Sequence, residues 1–293
     1  MRCFYGIIGK KLPEENMVKA VFFDLDGTLL NSKKRVPDSA IHAIQALRAK
    51  GIKTYFASAR SPRLDQTLDW TQREFSLFDG GIYCNGATVH INGEMQSSFI
   101  DSRAVLDIIN IVSKYPSVHL SLHSPDEGYA FNFQIDESMN KTWGLETARI
   151  TEMDDRAISS CLKILVFYNH LTDSAALLPE ALTDEFSEKL SMRTKFYISD
   201  GGKTVQFSAK DVSKLSAIRR VANELNIRDD EICVFGDDTN DLEMISCFKN
   251  SVAMGNGAQS VKAHAGFITK TNDEDGIAYA IFEYILNSGE DMK

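Results

Sequence analysis

A basic surplus is the first thing this sequence lacks. Lysine and arginine number 32 against 41 aspartate and glutamate residues, and the net charge is −9. That balance offers nothing to neutralise a run of phosphates, which speaks against a general nucleic-acid binder or a protein held on an acidic membrane surface. Long apolar runs are missing too. The longest, such as residues 162–168, are strand-sized and fall well short of the roughly 18 residues of a membrane span. Cysteines are few. Cys3, Cys84, Cys161, Cys233 and Cys247 are odd in number, scattered and without zinc-site spacing. They read as reduced, mostly buried thiols of a cytoplasmic protein. The six histidines show no metal-ligand spacing and read as structural or solvated. The N-terminus has no apolar stretch leading to a small-residue cleavage site. Met17 immediately precedes the first strand-like run, so residues 1–16 are expected to be an upstream extension or alternative start, with no role assigned. No internal repeat or low-complexity segment interrupts the rest.

What is present is an ordinary globular composition, 43% hydrophobic and 25% charged, in 293 residues. That length suits one large domain or two of ordinary size. The most informative segment is Val21-Phe22-Phe23-Asp24-Leu25-Asp26-Gly27-Thr28. Its first three residues have the aromatic and β-branched character of a strand buried on both faces. Gly27 then breaks the strand, leaving Asp24 and Asp26 at its carboxyl end, where open α/β sheets bind ligands. Two such anions repel by about 4 kcal/mol at 4 Å with an effective dielectric of 20. A cation between them, protonation of one, or solvent reaching both would each relieve that repulsion; an ordinary solvated turn is the plainest reading.

The flanks of the chain alternate strands and helices. Ala40, Ile41, Ile44 and Leu47 recur at helical spacing and Gly51 follows as a C′ residue. Residues 52–57 read as a second buried strand, 63–75 as a helix, and 81–84 as a strand. Near the other end, Val212, Leu215, Ile218, Val221, Ala222 and Leu225 form one helical stripe. A strand at 232–235, a helix at 242–247 and a strand at 252–254 follow. This pattern predicts a doubly wound parallel sheet with helices on both faces. Between the flanks, turn-linked strands at 119–123, 129–133, 162–168, 193–198 and 203–207, with a helix near 105–115, predict an inserted α+β module. Its expected span is 95–205, with 17–94 and 206–293 forming the core.

Three more constellations accompany the aspartate pair. Ser58-Ala59-Arg60 ends the second strand, so the Ser58 hydroxyl is expected beside Asp24; a plain strand-end turn would read the same way. Lys214 sits in the first turn of the stripe helix, where most lysines are merely solvated. Gly236-Asp237-Asp238-Thr239-Asn240-Asp241 follows another strand. Two acidic strand-end clusters in one sheet favour a hard cation held by oxygen ligands.

Asp24-x-Asp26-Gly27-Thr28, Ser58, Lys214 and Gly236-Asp237-Asp238-x-Asn240-Asp241 together resemble, in order, the four motifs of the haloacid dehalogenase superfamily. Cys84-Asn85-Gly86-Ala87 and Val252-Ala253-Met254-Gly255-Asn256 are similar to signatures of its Cof-like branch of capped phosphatases. The resemblance covers residues 17–286 and implies a Rossmann-like core with a substrate-specificity cap. It implies Mg²⁺ as cofactor, held by the carboxylates of Asp24 and Asp237 and the backbone carbonyl of Asp26, with Asp241 orienting the shell or binding through water. Asp24 is implied as nucleophile, Asp26 as general acid/base, and Ser58, Lys214 and Asn240 as phosphate ligands. For the acid role Asp26 is expected to start protonated, favoured by the neighbouring Asp24 anion. Asp211 and Leu215 stand where the third motif usually has glycines, and Asp211 adds negative charge near the expected phosphate site.

The implied activity is hydrolysis of small phosphorylated metabolites, sugar phosphates first, by a cytoplasmic monomer or homodimer that uses neither nucleic acid nor membrane. A sugar phosphomutase sharing the aspartyl phosphate is the alternative, and a non-catalytic phosphometabolite sensor ranks third. Tyr129, Phe131, Phe133, Trp143 and Arg149 are candidate cap contacts, although the 129–133 alternation also suits one face of a packed strand.

Overall fold

The computed structural model describes residues 18–125, 128–137, 139, 145, 149–168 and 177–286. Cys3, the expected extension at 1–16, Trp143 and the Arg149 side chain lie outside the described residues.

Two sheets organise the chain. The first runs β14 (Phe267–Ile268), β13 (Asn250–Ala253), β12 (Ile232–Gly236), β1 (Ala20–Phe23), β2 (Lys53–Ala57), β3 (Gly80–Tyr83), β4 (Thr88–Ile91), β5 (Glu94–Ser97). From β14 to β3 every pairing is parallel; β4 and β5 add an antiparallel hairpin at one edge. Its turn residues Asn92 and Gly93 both have positive φ, as the Asn-Gly pair predicts. The run Val21-Phe22-Phe23 divides its side chains between two cores. Val21 and Phe23 pack with Ile41, Ile44 and Leu47 of the helix Asp38–Ala49. Phe22 packs on the other face with Ile218 and Val221 of the helix Lys214–Leu225. Helices on both faces are what a strand without polar alternation requires.

The second sheet has the order β10 (Thr194–Ser199), β11 (Thr204–Ala209), β9 (Lys163–Tyr168), β6 (Val118–His123), β7 (Gly128–Phe131), β8 (Arg149–Thr151). All its pairings are antiparallel except β7 with β8. The helices Ser102–Val112 and Glu180–Leu190 cover one face, burying Ile108 and Phe186 against Leu120, Ile164, Val166 and Phe207. We propose that the chain passes between core and cap at residues 98–101 and 210–213. The expected 95 and 206 fall inside β5 and β11, each of which stays with its own sheet.

One expected helix is broken. Residues 63–75 form two short helices, Leu64–Thr67 and Gln72–Phe75, because Asp69 takes a left-handed φ of 52°. The break lets Trp70 enter the core, stacked on Phe78 and edge-on to Phe56. Thr71 and Glu74 restart the helix with a capping box. The strand β8 and the helix Glu180–Leu190 were not among the expected elements; the helix is nevertheless amphipathic, burying Leu182, Phe186 and Leu190.

Phe56 is the centre of this packing, edge-on to Trp70, Phe78 and Tyr83 at centroid distances of 5.6, 5.3 and 5.1 Å. Phe56→Ala is expected to cost roughly 3–5 kcal/mol in urea unfolding. A loss below about 1 kcal/mol would show that the cluster closes the cavity by itself.

Candidate active site

The order of the first sheet puts β1 between β12 and β2, so three strand ends meet. Asp24 extends the ladder by one residue, its N–H donating to Phe235 O at 3.0 Å. The chain then turns tightly, with Leu29 N–H on Asp24 O and Leu30 N–H on Leu25 O. Gly27 stands at φ +80°, and a Cβ there would lie 2.2 Å from Asp237 Oδ2. Only glycine meets both demands. Asn256 Nδ2 donates to Gly27 O at 2.7 Å and pins this turn from across the sheet.

Lys214 reaches the cluster because Ser213 caps its helix, making the lysine the first helical residue. Its Nζ lies 2.5 Å from Asp24 Oδ1 and 2.7 Å from Asp241 Oδ1. The Asp241 carboxylate also accepts the backbone N–H groups of Asp237 and Asp238. Burial alone would lower the lysine, but the Asp24 and Asp241 carboxylates raise it above its ordinary value and keep it charged. Asp24 is pushed well above the usual carboxylate range by burial, with the Asp241 and Asp237 charges adding to it and Lys214 opposing.

Asp24, Asp237 and Asp241 present carboxylate oxygens all within 4.8 Å of one another. One ammonium serves two of them. Asp237 has the Thr28 hydroxyl at 2.9 Å and pairs with no lysine or arginine among the described residues. Burial, then the Asp241 charge, pushes it up to about 7. An all-oxygen cluster with this uncompensated negative charge fits a hard divalent cation.

Asp26 differs from expectation. Arg60 grips its carboxylate with both Nε and Nη2, at 2.6 and 2.7 Å, and Lys34 Nζ adds a third contact at 2.8 Å. Burial would raise this group, yet the two cations hold it at about 2. Asp26 is therefore ionised in this state. The expectation of a resting proton considered Asp24 alone and left out the neighbouring cations.

Ser58 is buried one residue past β2, and its Oγ accepts from the Arg60 N–H at 3.1 Å. Asn240 donates to Asn85 Oδ1 at 3.0 Å; Asn85 donates to Gln206 Oε1 at 3.3 Å, and Gln206 to Ser199 Oγ at 3.1 Å. This relay runs from the loop after β12 into the cap. Asp24, Asp26, Asn240, Arg60, Lys34 and the cap residue Lys163 line a cavity of about 380 Å³. Lys214 and Asp241 are buried against Asp24 rather than in that lining. Asp211 is exposed, and Leu215 packs on the Ile218 core cluster.

The expected site list omitted Arg60, Lys34, Asn85, Asn256, Lys163 and Gln206. Arg60, Asn85 and Asn256 stood inside quoted motifs; Lys34, Lys163 and Gln206 carry no local signal. Lys214→Met would leave two buried carboxylates unpaired, and a loss of about 3–5 kcal/mol is expected in metal-free chemical denaturation. A change under about 1 kcal/mol would show the carboxylates to be neutral there.

Residues 21–281 match the family described as haloacid dehalogenase-like hydrolase. The Bacillus subtilis 5-amino-6-(5-phospho-D-ribitylamino)uracil phosphatase YitU is 26% identical, covering 90% of this chain and 96% of its own. The B. subtilis phosphatase YwpJ is 27% identical, with 89% and 98% covered. A solved sugar phosphatase of haloacid dehalogenase subclass IIB superposes with a TM-score of 0.74 at 25% identity, covering 90% of this chain and 98% of that one. With its buried lysine–carboxylate cluster and its inserted cap, the chain belongs to the Cof-like branch of the haloacid dehalogenase-like hydrolases and is a phosphoric monoester hydrolase.

Proposed function

We propose that the protein is a Mg²⁺-dependent phosphatase of small phosphorylated metabolites, working through an aspartyl phosphate on Asp24. The observation that carries this reading is the Asp24 carboxylate, held by Lys214 beside Asp237 and Asp241 and open to a cavity walled by Arg60 and Lys34. The Asp24 and Asp237 carboxylates and the Asp26 carbonyl would hold the metal, with Asp241 orienting them. Magnesium, when bound, offsets the repulsion between carboxylates and a phosphoryl dianion.

Lys214 fixes Asp24 Oδ1, so the carboxylate is oriented for in-line attack on phosphorus. The attack forms the Asp24–phosphoryl bond and expels the alcohol oxygen. Lys214, Asn240 and the Ser58 hydroxyl are assigned to the phosphoryl oxygens, where charge spreads in the transition state. Asp26 is assigned the proton transfers to the leaving oxygen and from the attacking water. An incoming dianion competes for Arg60 and Lys34, both of which line the cavity, and so frees Asp26 to take up a proton.

Among the described residues no helix is long and apolar enough to cross a membrane. Cys84, Cys161, Cys233 and Cys247 are unpaired thiols, which supports a cytoplasmic setting. We assign a monomer or homodimer acting on a free small molecule.

Asp24→Asn is expected to abolish Mg²⁺-dependent hydrolysis of 4-nitrophenyl phosphate with the fold retained; residual turnover at wild-type rate would remove Asp24 as nucleophile. Asp26→Asn is expected to slow alkyl phosphates at least about tenfold more than aryl phosphates, since only poor leaving groups need the proton. Equal losses on both would remove Asp26 from proton transfer.

A further inference from the structure

The turn that joins β3 to β4 carries three successive residues in left-handed backbone. Cys84, Asn85 and Gly86 have φ values of 49°, 55° and 108°. Glycine and asparagine adopt such angles readily, whereas a cysteine is held there only by its surroundings. Those surroundings are the loops of the site. Cys84 N–H donates to Arg60 O at 2.8 Å, and Asn85 N–H donates to Ser58 O at 2.9 Å. A Cβ on Gly86 would lie 2.4 Å from Ser213 O, so the turn also abuts the residue that caps the Lys214 helix.

The backbone at position 85 asks only for a residue that accepts a positive φ, and glycine would serve. The Asn85 side chain is therefore explained by what it bonds. It is 3% exposed. Its Oδ1 accepts from Asn240 Nδ2 at 3.0 Å, and its Nδ2 donates to Gln206 Oε1 at 3.3 Å. Both of these partners line the catalytic cavity.

Asn240 needs such a partner. It is half-buried and lies in the single turn Thr239–Asp241. An amide free to rotate there would present its oxygen to an anion as readily as its N–H groups. Asn85 Oδ1 can only accept, so it holds Asn240 by the nitrogen and leaves the second N–H of that nitrogen to donate elsewhere. Gln206 holds the Asn85 amide from the other side and sets which of its ends faces Asn240. A donor fixed in advance costs no reorganisation when charge develops on the phosphoryl oxygens.

We propose that Asn85 is a positioning residue for phosphoryl transfer and acts through Asn240. This rests on the phosphatase reading above, which assigns Asn240 to a phosphoryl oxygen, and adds to it a residue from the β3–β4 turn.

The test is a double-mutant cycle on phosphate release from acetyl phosphate by the full chain with Mg²⁺. Asn85→Gly keeps the left-handed backbone and removes only the amide. It should lower kcat about tenfold, the scale of one net hydrogen bond, with KM changed less than about threefold. Asn240→Ala should lower kcat at least as much, and Asn85→Gly added to it should lower kcat by less than about twofold more. A merely structural defect would instead multiply with the loss of Asn240. Multiplied losses, a loss confined to KM, or an unchanged kcat in Asn85→Gly overturns the inference and leaves the phosphatase reading intact. Should Asn85→Gly misfold, Gln206→Leu takes its place in the cycle, because it removes the other anchor of the Asn85 amide. Its effect on kcat should likewise shrink in the Asn240→Ala background, and multiplied losses overturn the inference. If the unmodified chain releases no phosphate, the phosphatase reading fails, and calorimetry of inorganic phosphate with Mg²⁺ decides. Weakening by Asn85→Gly that disappears in the Asn240→Ala background supports the inference; multiplied weakening, or no binding by the unmodified chain, overturns it.

Discussion

Everything at this site depends on one buried ammonium. Lys214 is almost wholly removed from solvent and lies between Asp24 and Asp241, which come from separate strand ends. Taking three such groups out of water is costly, and their mutual attraction offsets that cost only if the geometry is good and the remaining lone pairs are satisfied. Both conditions constrain the fold. Asp241 spends its second oxygen on two backbone N–H groups of its own loop. The Lys214 helix must begin where Ser213 caps it, and β12 must lie directly against β1. Among the described residues Asp237 has a hydroxyl as its side-chain partner and no cation, so the cluster keeps a deficit of positive charge for a divalent cation to fill.

Small polar contacts cross the seam between core and cap, beside one small buried apolar cluster of Cys84, Ala87, Leu162 and Val212. Lys163 bonds Ala59 O, Tyr129 meets Ser61, Gln206 receives Asn85, and Lys195 pairs with Glu243. Contacts of this kind can be broken and remade during domain movement, unlike a continuous apolar interface. Three of the four join the catalytic-side loops after β2 and β3 to the cap sheet. Cap position and catalytic geometry are thereby coupled through Ala59, Ser61 and Asn85, which suits a cap that excludes water while phosphoryl transfer proceeds.

The core was legible because its signals are local. Val21-Phe22-Phe23 has no polar alternation, so two covering layers follow; the Asn92-Gly93 turn and the 212–225 stripe each name an element by spacing alone. The failures have equally physical reasons. Residues 63–75 have helical composition, but burying Trp70 against Phe56 and Phe78 outweighs helix continuity. Asp26 was read with Asp24 as its only charged neighbour, whereas Lys34 and Arg60 arrive from 8 and 34 residues away. A pairwise reading of nearby carboxylates gives the wrong sign when cations come from other segments.

By itself, the sequence determined that strand ends would carry Asp24, Asp26, Asp237 and Asp241 and that Lys214 would open a helix, because strand burial, glycine breaks and helix periodicity are properties of short segments. Tertiary structure alone decided which of those charges touch. It gave Lys214 to Asp24 and Asp241, Arg60 and Lys34 to Asp26, and, among the described residues, no cation to Asp237. It also decided that one face of the cap sheet roofs the site with Lys163, Gln206 and an aromatic wall. The reason is the same in each case: electrostatic partners and cavity walls are set by distances across strands far apart in sequence, and no local pattern encodes those distances.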